Sequence, residues 1–160
     1  MNYLHRHKHS ILLVAILTLA LVLRLWGIGF GLPYIGYYID ETVFADQSIS
    51  FLREGVSDLS QWRIGNLYSY LQAGVGAIVL AISQINAKDM PTYLEILAAE
   101  NIGRYTIGVP YPLPSYYLWG RILVAVMGGL SILVTYLIGR AEKSELVGLT
   151  SAFLLSVSSV

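Results

Sequence analysis

The stretch LYSYLQAGVGAIVLAISQI, residues 67–85, decides how this chain folds. It contains no charged residue, and it approaches the roughly 20 apolar residues that a bilayer crossing requires. Tyr68 and Tyr70 stand at one end, where aromatic side chains anchor a helix at the membrane–water boundary. As a transmembrane helix it makes the molecule polytopic, because similar stretches lie on both sides of it.

Upstream, Ile11–Ile28 is a second apolar segment, preceded by the basic tail HRHKH. A cleavable signal would continue into a small-x-small site. This segment continues instead into Arg24 and Trp26, an interfacial end, and is expected to stay as an uncleaved span with Arg24 snorkelling to the head groups. Downstream, residues 117–138 (YLWGRILVAVMGGLSILVTYLI) form a third span, with Arg121 one turn inside its start. Residues 146–160 are apolar to the last position and only 15 long. The expectation is a fourth helix cut short, and therefore a piece of a longer protein. The expected fold class is all-α: polytopic transmembrane helices in one membrane domain, with no soluble domain boundary.

Composition agrees. Of 160 residues 56% are hydrophobic and 12% charged, with a mean hydropathy of +0.63. The formal net charge is +0 and there is no basic stripe, so a nucleic-acid partner is not expected. With no cysteine the chain forms no disulfide and no thiolate metal site.

The connecting segments have patterns of their own. In loop 1, residues 29–66, Ala45, Ile49, Leu52 and Val56 fall on one helical face and Asp46, Gln47, Ser50, Arg53 and Glu54 on the other. An amphipathic helix over about 41–54, closed by Gly55, is expected to lie flat on the interface. In loop 2, residues 86–116, Asp89 as cap and Pro91 in the first turn predict a short helix over about 90–101. The proline-rich run IGVPYPLPSYY, residues 107–117, is expected to be extended. Basic residues divide evenly between the two faces of a four-span arrangement. The HRHKH cluster tips the N-terminus to the cytoplasm, which puts loop 1 outside and loop 2, with Arg121, inside.

Three groups of residues stand out chemically. Asp40 and Glu41 open the amphipathic helix. They serve either as a helix cap and first-turn charges favoured by the helix dipole or as a carboxylate base at the membrane boundary. Arg121, within an apolar segment, either snorkels or holds a phosphate with its planar fork. His5, His7 and His9 alternate in the basic tail and read as its flank rather than as a metal site. The glycines of LQAGVGAIV and VMGGLSI are small residues that let helices approach. No phosphate loop, GxSxG or HExxH is present.

The order of these features resembles the N-terminal part of the GT-C membrane glycosyltransferases, most of all the prokaryotic relatives of protein O-mannosyltransferases and the lipid A aminoarabinose transferases. A first span ends in LRLWGIGFGLP, residues 23–33. Asp40-Glu41 follows within ten residues and opens an interfacial helix that closes at Gly55. Then come LYSYL at 67–71 and a span bounded by Gly120-Arg121 and Gly139-Arg140. The likeness covers nearly the whole chain and about the first third of such an enzyme. It implies that Asp40 is the catalytic base with Glu41 in support. It also implies that Arg121, Tyr68 and Tyr70 bind substrate, and that a sugar passes from a polyprenyl-phosphate donor to an acceptor hydroxyl on a lipid, glycan or protein. No cofactor is required, although an Asp-Glu pair is able to hold a divalent metal. Two positions depart from the family pattern: Tyr38-Ile39 stands where many members have His-Pro, and Gly65-Asn66 where many have Pro-Pro or Pro-Ser. The alternative is a non-enzymatic polytopic protein, a transporter half or an assembly subunit. Charges confined to segment ends favour the enzyme.

Overall fold

The computed structural model describes residues 2–55, 66–103, 106 and 108–158. Val56, Arg63, Gly65 and Arg104 fall outside the described residues, as do the side chains of His5 and His7. The described residues are mostly helical. In chain order they form α1 (Asn2–Leu25), β1 (Tyr34–Ile35), α2 (Ile39–Glu54), α3 (Asn66–Ser83), a 3-10 turn (Ala87–Asp89), α4 (Tyr93–Ala99), β2 (Val109–Pro110), α5 (Pro114–Glu142) and α6 (Glu145–Ser158). Two helices are long and apolar enough to cross a membrane, α1 over Lys8–Leu25 and α5, whereas α3 and α6 are shorter apolar helices.

Several boundaries move for local reasons. α1 begins well before residue 11 and stops at Leu25, because Gly27 takes a left-handed φ of +73° that a helix cannot include. α4 is shorter than expected. Thr92, not Asp89, caps it through a reciprocal box: the Thr92 hydroxyl accepts from the Glu95 N–H at 3.2 Å, and the Glu95 carboxylate accepts from the Thr92 N–H at 2.7 Å. Asp89 belongs to the separate 3-10 turn, and Met90 is extended ahead of Pro91. The extended segment ends early, since Pro114 opens α5 at the position where a missing N–H costs nothing. Arg121 therefore sits two turns inside its helix.

The chain divides into two compact units. One comprises Met1–Ile28 and Val124–Val160. Its core joins Ile16 and Ala20 of α1, Ile132 and Tyr136 of α5, and Leu149 and Ala152 of α6. Glycines let α5 and α6 touch: a Cβ on Gly139 would lie 2.9 Å from the Gly148 Cα, and one on Gly148 would lie 2.6 Å from the Tyr136 carbonyl oxygen. His9 pairs with Glu145, whose second oxygen is 3.4 Å from the Arg140 Nε. Arg24 lies over Gly128 and donates to the carbonyls of Ala20 at 3.2 Å and Ser156 at 3.4 Å. Its charge is thus directed at helix carbonyls.

The other unit is Gly29–Leu123. A two-stranded antiparallel ladder sets Tyr34 opposite Pro110 and Ile35 opposite Val109. The core gathers Ile35, Ala45, Ile49, Leu80, Met90, Tyr93 and four further apolar or tyrosine side chains around Tyr117. This core changes the reading of α2. Ala45 and Ile49 are fully buried, so the apolar face expected to lie on lipid is buried against protein. α3 carries the exposed apolar face instead, with Ile78 61% and Ile82 78% exposed.

Candidate functional site

Asp40 and Glu41 lie in the first turn of α2. The helix starts at Ile39 after the extended Tyr38, which makes no side-chain cap, so neither carboxylate is the cap. They point to different surroundings. Asp40 is exposed. Glu41 is held by Arg121 in a two-point ion pair, Nε to Oε1 at 2.6 Å and Nη2 to Oε2 at 2.9 Å, with both side chains mostly buried. The Arg121 Nη1 donates to the Phe30 carbonyl at 2.7 Å. The fork thus joins the entry loop, the head of α2 and the second turn of α5, and leaves Asp40 as the accessible member of the acidic pair. Glu41 has both oxygens engaged, so in this arrangement the pair does not present two carboxylates to a metal. Among the described residues no group of three or more His, Asp or Glu side chains is placed to hold one.

Tyr68 and Tyr70 are brought near this region to different degrees. The Tyr68 hydroxyl donates to the Gly120 carbonyl at 3.4 Å, and its ring meets Phe44 edge-on at 4.8 Å. Tyr70 is 42% exposed, one edge against Phe51 at 5.1 Å. Gly120 is needed for the approach: a Cβ there would lie 2.9 Å from the Gln72 Nε2.

These contacts bear on the expected membrane arrangement. The four-span reading sets Glu41 outside and Arg121 inside, on faces separated by a hydrocarbon core of about 30 Å. An ion pair of 2.6 Å does not fit that separation, and neither does the contact of Tyr68, at the start of α3, with Gly120. The placement of Arg121 on the opposite face from loop 1 does not hold.

Asp46 is a residue the sequence reading put on a solvated face. It is half-buried and accepts the Tyr93 N–H at 2.8 Å, receiving the first free N–H of α4. Burial pushes its carboxyl from the ordinary 3.8 up to about 6, against the lowering effect of the Tyr93 and Leu94 N–H groups, with Glu95 adding to the rise. Deeper in the unit, Ser48 bonds the Tyr116 hydroxyl at 2.7 Å, while the Gln72 Oε1 and the Tyr117 hydroxyl have no partner among the described residues.

Comparison with known proteins finds no match: no family model, no curated protein and no solved structure is similar to this chain.

Proposed function

We propose that the protein is a membrane glycosyltransferase of GT-C type that moves a sugar from a polyprenyl-phosphate donor to an acceptor hydroxyl on a lipid, glycan or protein. The observation that carries the proposal is the division of labour within the acidic pair: Glu41 is fastened by Arg121, and Asp40 beside it is exposed. Asp40 takes the proton of the acceptor hydroxyl, and the resulting nucleophile attacks the anomeric carbon. The bond to the phosphate oxygen breaks, and the polyprenyl phosphate leaves as a stable anion without an acid catalyst. Attack from the face opposite the phosphate inverts the anomeric centre. Glu41 and Arg121 act as positioning residues: the fork fixes the first turn of α2 and with it the direction of Asp40. Because its donors reach Glu41 and Phe30, Arg121 fits this role better than phosphate capture. Tyr68, against Phe44 one turn further on, supplies a ring edge near this turn, and Tyr70, against Phe51 towards the far end of α2, supplies one for the sugar's lipid carrier.

In this reading α1 and α5 cross the membrane and the turn bearing Asp40 faces the extracytoplasmic side, where lipid-linked sugars are consumed. The test is Asp40→Asn in the intact protein, assayed with a lipid-phosphate sugar donor. Transfer is expected to fall by about 10²–10⁴-fold, the range for losing a general base, with membrane insertion unchanged. Turnover at the level of the parent protein would remove Asp40 from the mechanism.

A further inference from the structure

We propose that α3 does not cross the membrane but lies along its surface, with the lipid bilayer as the partner of its exposed face. The inference rests on the protein being membrane-bound and not on its catalysing sugar transfer.

Three observations carry it. First, the ends of the segment are tied together. Glu41 precedes α3 and Arg121 follows it, and they are in direct contact; Tyr68 at the start of α3 reaches Gly120 of α5. A crossing at α3 would separate these partners by the thickness of the bilayer. Second, α3 is short: its 18 residues are about 27 Å long, less than the roughly 30 Å of the hydrocarbon core. Third, its two faces differ completely. Ser69, Gln72, Ala73, Gly76, Val79 and Leu80 are buried in the unit, while Leu67, Leu71, Gly74, Ile78, Ala81 and Ile82 form an exposed stripe on the opposite side. Helical spacing of i, i+4, i+7, i+11 and i+15 holds that stripe to one line.

The chemistry of the stripe selects lipid as the occupant. It is aliphatic along its whole length, without a charge or a side-chain hydrogen-bonding group. A protein interface of that length carries polar rims and aromatic or arginine anchors. Hydrocarbon makes no such demand, and an apolar face of this kind is what seats a helix at the membrane boundary. Tyr70, exposed at the margin of the stripe near its start, occupies an interfacial anchor position. The opposite, buried face of α3 packs on the first turns of α5, where Gly76 fits against the Tyr116 ring, so the stripe is turned away from α5. That helix continues into one of the two candidate spans.

Single-cysteine variants test this directly, since the chain has no cysteine of its own. Glu54→Cys and Lys88→Cys flank α3 at exposed positions. In sealed vesicles of the intact protein, both are expected to react with a membrane-impermeant maleimide from the same side. Labelling from opposite sides would show that α3 crosses and would overturn the proposal. Ile78→Cys and Ile82→Cys, carrying an environment-sensitive fluorophore, are expected to be quenched at least twofold by spin-labelled lipids, with Lys88→Cys unaffected. Unquenched labels, or disulfide cross-links between copies at these positions, would mean that protein covers the stripe, and would equally overturn the proposal. Neither readout depends on enzymatic activity, so failure here leaves the Asp40 test standing, and the reverse.

Discussion

Asp46 links α2 to α4 through one hydrogen bond, and its environment gives that link a pH dependence. The group is surrounded by poor solvation and by few opposite charges. Tyr93 and Tyr111, both with hydroxyls pushed up by burial, stand near it, and so does Glu95, whose carboxyl is held low by the Thr92 N–H and by Arg53. The folded protein holds the Asp46 proton up to about pH 6, whereas the unfolded chain releases it near 3.8. Stability from this group is therefore greatest below pH 4 and falls as pH rises to about 6. A rise from 3.8 to about 6 corresponds to at most about 3 kcal/mol at 1.36 kcal/mol per pH unit. Asp46→Asn keeps an acceptor for the Tyr93 N–H and removes the charge. It is expected to stabilise the protein at pH 8 by about 1–3 kcal/mol and to flatten the stability profile between pH 4 and 6, as read by thermal melting in detergent. A loss of stability at pH 8 would mean that the ionised carboxylate is net favourable. At this scale the sequence indicated which residues matter but not how they differ. Asp40 and Glu41 are neighbours with the same chemistry, and only Arg121, 80 positions away, separates an exposed carboxylate from a fastened one.

The helices themselves were readable: α1, α3, α5 and α6 fall on apolar runs, and α2 falls on an amphipathic spacing. What apolar content could not assign was the neighbour of each face. The apolar line of α2 serves a protein core equally well as a lipid surface, and here Ala45 and Ile49 are buried against protein. The uncharged run of α3 fits a span and a one-sided surface helix alike, since lipid and a packed core both accept aliphatic side chains. Glycine was informative about close approach but not about which glycines make it. Gly148 and Gly74 both occur in apolar helices. A Cβ on Gly148 would stand 2.6 Å from the Tyr136 carbonyl oxygen, a backbone atom that cannot rotate away, while one on Gly74 meets nothing within 4 Å. Gly148→Ala is expected to lower stability by about 1–3 kcal/mol, the usual cost of overpacking. Gly74→Ala is expected to be neutral or to raise stability by up to about 1 kcal/mol through helix propensity. Paired melting curves of the two variants check this; equal effects would show that α5 and α6 separate at little cost.

Over the whole chain, the proposed surface placement of α3 keeps residues 29–123 on one face and changes the expected balance of charge across the membrane. Arg6 and Lys8 in the opening turns of α1 would then share a face with Arg140 and Lys143 at the end of α5, while Arg24, Arg104 and Arg121 would flank the other face. Counted close to the crossings, as the positive-inside rule requires, and with Arg104 ten positions before α5, the tie of the four-span reading becomes four against three, which under the proposed placement of α3 favours a cytoplasmic N-terminus. Lys143→Cys is expected to react with an impermeant maleimide only from the cytoplasmic side. Reaction from the other side would reverse the orientation. Alternation between loops and apolar helices was legible along the chain. The number of crossings was not, because it depends on a contact between distant residues. That contact also constrains the order of assembly. Bringing together groups 80 positions apart costs roughly 4 kcal/mol of chain entropy, more than an isolated ion pair returns. The clasp between Glu41 and Arg121 thus follows the packing around Tyr116 and Tyr117 rather than leading it. It cannot form until the ribosome has released the opening turns of α5, so a nascent chain carries Asp40 for some eighty residues of synthesis before its turn is braced.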